Sequence, residues 1–167
     1  MLSWGRTLRG LGELLAPRGW VRRDEGNFST VVDKRLGIAI AVATGDEATG
    51  LLGATPRTKY PKGPTTERAV EQNNQQLRLF DEPDDVETDE AIDQGVSLTW
   101  ILLIARIGAD VRCELSLPAA LGEDGRVEAW RERIILGPIR VSQTTPAFAD
   151  LELTEEIDIP VTARTEV

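Results

Sequence analysis

The chain has 167 residues, 41% hydrophobic and 28% charged, with a net charge of −9, one cysteine and no histidine. That is the size of a single soluble domain with its own core; its longest uninterrupted apolar run, 100–105, is far short of the roughly 20 residues that cross a bilayer. Without histidine, His-based triads, His general bases and His metal ligands are all excluded, and the lone Cys113 excludes an internal disulfide.

The charge is unevenly spread. Segment 81–94 holds 8 acidic groups and no basic one, and residues 95–167 hold 12 acidic against 7 basic, whereas residues 1–36 hold 7 basic against 4 acidic. Arg6, Arg9, Glu13 and Arg18 interrupt the apolar residues of the N-terminus, which therefore does not read as a signal peptide. A cytoplasmic location is the resulting expectation.

In chain order, Trp4, Leu8, Leu11 and Leu15 recur at helical spacing, with Ser3 as N-cap and Pro17 and Gly19 as the stop. Gly10 and Gly12 each weaken such a helix by about 1 kcal/mol relative to Ala. Three strands are predicted next, over 20–23, 28–33 and 35–43, separated by a turn at 24–27 and a tighter one at 33–35. In the third, Ile38, Ile40 and Val42 alternate with Ala39, Ala41 and Ala43. An all-alanine face admits a closely packed neighbour, and a helix is expected there.

Segment 44–64 has four glycines, three prolines and four threonines and no periodicity. It is predicted to be a long loop, of a length that is uncommon without a function. Within it Arg57, Lys59, Tyr60 and Lys62 form the tightest basic cluster, around the one tyrosine of the chain. Cations beside an aromatic ring are the chemistry that contacts phosphates and stacks a base, although basic loops are also common on proteins that bind no nucleic acid. No phosphate-binding GK[ST] motif is present.

Pro64 suits the first position of a helix running to about residue 80. Its apolar stripe is thin, and Asn73, Asn74, Gln75 and Gln76 make a hydrogen-bonding surface suited to a partner interface. The acidic run 81–94 follows. Tested as a calcium loop, it has Glu90 where glycine is required and Val96 where a bidentate glutamate is required, so that reading fails. A mobile, self-repelling connector is expected instead.

The organising stretch is 96–117. Its first half is apolar on both faces and is expected to be a central strand covered on both sides. After Gly108 the pattern alternates, with Val111, Cys113, Leu115 and Leu117 on one face and Arg112, Glu114 and Ser116 on the other. A connection is predicted over 118–125 and a strand over 126–136 with a basic outer face, stopped at Gly137 and Pro138. A loop over 142–146 and one or two acidic-faced strands over 151–161 complete the chain, Pro160 marking an edge.

These elements predict an α+β fold: a mainly antiparallel β-sheet with an N-terminal helix and one mid-chain helix packed on it, in a single domain over 1–167. No cofactor, metal or catalytic residue is assigned. Ser29, Ser116 and Cys113 lack a histidine to activate them, and Asp110 with Glu114, near Lys34 or Lys59, reads as a solvated carboxylate pair. The expectation is a non-enzymatic protein-interaction module. It would be an accessory subunit or inhibitor docking on a larger bacterial or phage assembly of nucleic-acid-handling or defence type, with no membrane contact. The alternative is a nucleic-acid or nucleotide binder using the loop 57–62, with or without enzymatic activity.

Overall fold

A computed structural model of the chain describes residues 4–81 and 97–140. Helix α1 (Trp4–Leu15) runs into a 3₁₀ turn (Ala16–Arg18), followed by β1 (Val21–Glu25), β2 (Phe28–Asp33) and β3 (Ile38–Thr44). A long connection leads to α2 (Pro64–Asp81), then to β4 (Leu98–Ile107), β5 (Asp110–Leu121) and β6 (Val127–Arg140). The six strands form one sheet in sequence order. Every neighbouring pair is antiparallel except β3 and β4, which run parallel. The α+β architecture and both helices are as the sequence predicts. Apart from Asp81, which ends α2, the acidic connector 81–94 lies outside the described residues, as do the loop and strands expected over 142–161.

The parallel pair follows from the crossover. The chain leaves the end of β3, passes along the long loop and back along α2, and re-enters the sheet beside β3, the geometry that a connection containing a helix permits. In-register pairing from Ile38 with Leu98 to Thr44 with Ile104 places like faces together. Side chains alternate across a strand, so Ala39, Ala41, Ala43, Thr99, Ile101, Leu103 and Ala105 share one face. Ile40, Val42, Trp100, Leu102 and Ile104 share the other.

The two faces are covered differently. The first carries the core, with Leu103 at 0% and Ile101 at 2% exposure, packed with Ala43, Val127, Leu121 and Trp130. Burying each large aliphatic side chain contributes about 1.5–3 kcal/mol. Helix α2 lies over β4 and β5 on this side, bringing Ala69, Val70 and Asn73 inward. It does not sit squarely on the alanines as expected; they floor a groove beside it. On the second face α1 packs over β1 to β3, with Leu8 buried and Leu11 and Leu15 half-buried. A Cβ added to Gly12 would come within 3.8 Å of Val31.

Several local expectations are corrected. Strand β3 begins at Ile38, because Asp33 closes the preceding turn by accepting hydrogen bonds from the Arg35 and Leu36 amides (2.9 and 3.4 Å). Strand β4 is not covered equally on both sides: its Thr99–Ile101–Leu103–Ala105 face is buried, and Trp100, Leu102 and Ile104 are half-buried. Strand β5 continues through Pro118 to Leu121, accommodated by shifts of register against β6. Gly137 and Pro138 do not stop β6, which reaches Arg140; among the described strands it pairs with β5 alone, and a sheet edge tolerates proline.

Candidate functional site

The connection between β3 and α2 is ordered by its ends. Gly45 and Thr58 form a bridge, the Lys59 amide donates to the Thr44 carbonyl (2.8 Å), and the Asp46 amide donates to the Arg57 carbonyl (3.0 Å). The Asp46 carboxylate accepts from the amides of Ala48 and Arg57, both at 3.1 Å. Residues 46–57 are thereby closed into a compact Ω-type loop. Trp130 Nε1 donates to the Pro56 carbonyl (2.7 Å) and the Val127 amide to Thr58 Oγ1 (3.1 Å), which lays the loop across β6.

Beneath it lies a buried ion pair. Glu114 Oε1 accepts from Arg133 Nε (3.0 Å) and Ser116 Oγ (2.7 Å). Its Oε2 accepts from Arg133 Nη2 and from the Gly50 amide, both at 2.8 Å. Arg133 also donates to the carbonyls of Ala54 (2.7 Å) and Leu51 (3.2 Å). Burial alone would push the Glu114 carboxyl up. The bonds from Arg133, Ser116 and the Gly50 amide outweigh it and hold the carboxyl below its ordinary value of 4.5. A carboxylate offers about four lone-pair sites, and all four are taken. Glu114 is a structural anchor for the loop with no lone pair left for acid–base work.

That centre overturns two expectations. Glu114 and Asp110 do not form a solvated pair: Glu114 is fully buried, while Asp110 stands near Arg140 at 3.9 Å. The basic outer face expected on β6 is also reversed, since Arg133 points inward and Ile134 (43%) and Leu136 (42%) are exposed.

The basic loop residues are divided. Arg57 is bound by Asp124 (2.8 Å) and Glu128 (2.9 Å). Lys59 stands over the exposed ring of Tyr60, 5.8 Å from its centroid. Lys62, half-buried, lines a separate groove with Tyr60. The amide-rich residues of α2 are divided as well. Asn73 is fully buried and grips the main chain of Thr99, accepting from its amide (2.8 Å) and donating to its carbonyl (2.9 Å). Asn74 donates to the Ala119 carbonyl (2.9 Å). Gln75 is exposed and Gln76 half-buried. Asn73 and Asn74 thus hold α2 to the sheet.

Three comparisons, with family models, with characterised proteins and with solved structures, find no match to this chain. Among the described residues no three acidic or cysteine side chains gather in a metal-holding group, and no helix is long and apolar enough to cross a membrane.

The feature the sequence reading missed is the second sheet face beyond α1. The register places Leu102, Ile104, Cys113, Leu115, Ile134 and Leu136 on it, all half-buried or exposed. Next to α1 the face opens into a groove of about 950 Å³ lined by Thr7, Val42 and Ile104. The signal was present as Ile134-Ile135-Leu136, apolar on both alternations, but only the strand order shows which face stays open.

Proposed function

We propose that this chain is a non-enzymatic interaction module that docks on a partner protein through the open apolar face of β4 to β6. The carrying observation is the exposure of Ile134, Leu136 and Ile139 (43, 42 and 59%) on a sheet face that α1 covers only over β1 to β3. Contiguous apolar surface of this kind marks interaction sites, and β6 is the edge strand of the described sheet, paired with β5 alone among the described strands. The charge distribution selects the partner's chemistry. Residues 4–81 and 97–140 carry 18 basic and 15 acidic groups, whereas 82–96 and 141–167 carry 13 acidic and one basic. Those acidic segments directly precede β4 and directly follow β6. The complementary partner has an apolar centre rimmed with arginine and lysine, the surface of a nucleic-acid-handling protein, on which this chain acts as an accessory subunit or as an inhibitor with acids in the place of phosphates.

Site-specific photocrosslinking tests this reading. A crosslinking side chain at Ile134 or Leu136 is expected to capture one basic protein in host cells, in a salt-sensitive manner, while the same group at Gln75 on exposed α2 captures none. Ile134→Glu with Leu136→Glu is expected to abolish co-purification with that protein and leave the melting midpoint unchanged. Crosslinks from the strip only to further copies of this chain, or capture equal to that from Gln75, would overturn it.

A further inference from the structure

On the opposite side of the sheet, a groove of about 490 Å³ runs between the alanine face and the start of α2. Its floor is Ala41, Ala43 and Ile101, its wall Phe28, and its mouth Tyr60 and Lys62. No carboxylate lines it. The Lys62 main chain is pinned by the hydrogen bond that its amide donates to the Gly125 carbonyl (2.8 Å). Lys62 is half-buried, its ammonium makes no ion pair or hydrogen bond among the described residues, and burial holds its pKa below the ordinary lysine value. Desolvating a cation without a counter-charge is unfavourable. Thr66, which also lines the groove, is only 6% exposed, and its hydroxyl makes no hydrogen bond among the described residues. The first turn of the 18-residue α2 adds its positive end.

We infer that this groove binds a small organic anion, a phosphate-monoester or carboxylate head on an apolar body of about one ring. Lys62 and Thr66 hold the head, and the alanine floor and Phe28 take the body. A cation and a hydroxyl that have no partner among the described residues line the same groove, which calls for negative charge with acceptor oxygens. The alanines leave a flat apolar floor that a hydrated inorganic ion does not fill. The volume falls within the roughly 300–1,000 Å³ of small-molecule sites. The site is independent of the partner-docking strip, which lies on the other face of the sheet, so either can fail without the other.

The test is titration of the full chain with phenyl phosphate, benzoate and inorganic phosphate, followed by amide NMR shifts of Thr65 and Thr66. Saturable binding of phenyl phosphate or benzoate is expected, at least tenfold weaker in Lys62→Gln and retained within threefold in Lys62→Arg. The tighter of the two probes identifies the head group. Thr66→Val, near-isosteric, is expected to weaken binding severalfold with the melting midpoint held. No saturable shift up to 10 mM, affinity unchanged in Lys62→Gln, or inorganic phosphate bound as tightly as the ring-bearing probes would overturn the proposal.

Discussion

Arg133 is paired across the sheet with Ser116, yet its guanidinium leans along the strand to meet Glu114 in a two-pronged pair at 3.0 and 2.8 Å. Through the Gly50 amide and the Ala54 and Leu51 carbonyls, the pair fastens the loop 46–57 to the sheet. Removing one partner strands the other charge in a buried site. Glu114→Gln or Arg133→Met is expected to cost about 3–5 kcal/mol, and the double change less than the sum. Urea melting measures both, and limited proteolysis is expected to cut first within 46–57.

The same pair sets an acid limit. Glu114 has a folded-state pKa below its ordinary 4.5, so its contribution is fully present above that value and is lost as pH falls through the folded pKa. Asp33, at the end of β2, is lowered as well, by its hydrogen bond from Arg35, and acts in the same direction. Stability of the native chain is expected to fall as pH drops from about 5 toward 3. The Glu114→Gln chain is expected to show a shallower dependence. Equal slopes in the two would show that Glu114 does not titrate differently on folding.

Asn73 replaces a ladder-like contact at the heart of the helix–sheet interface. Asn73→Leu is expected to destabilise by about 1–3 kcal/mol, because both Thr99 main-chain groups lose their side-chain partner while buried. Hydrogen exchange at the Thr99 amide is the direct readout, with faster exchange expected.

The two faces of β4 are expected to differ in stability. Leu103→Ala, at 0% exposure, should cost about 2–5 kcal/mol. Leu102→Ala, on the half-buried face, should cost less than half as much. Equal losses in denaturant melts would show that the second face is as well packed as the first.

Gly50 has φ of +74°, and a Cβ there would lie 3.0 Å from Arg112 Cβ. Gly50→Ala is expected to cost about 1–2 kcal/mol from the left-handed backbone alone. Loosening of the 46–57 loop in proteolysis should accompany it, since the Gly50 amide is one of the four donors to Glu114.

Local pattern was enough to place both helices and the six described strands, because burial imposes a period of 3.6 on a helix and 2 on a strand and the residues record it. The Leu8–Leu11–Leu15 stripe and the alternation of β5 are direct imprints of that periodicity. Where local pattern ran out, the deciding interactions were between residues far apart in the chain. Arg133 reads as a surface charge on an alternating strand; it points inward because β5 brings Glu114 beside it and the loop closes over both. Asn73 reads as a solvent-facing amide, but the crossover sets α2 on the sheet with that residue against the buried main chain of Thr99. The parallel pairing of β3 with β4, and therefore which apolar face α1 leaves open, depends on the path of a long connection, and a strand's own sequence carries no record of its neighbour.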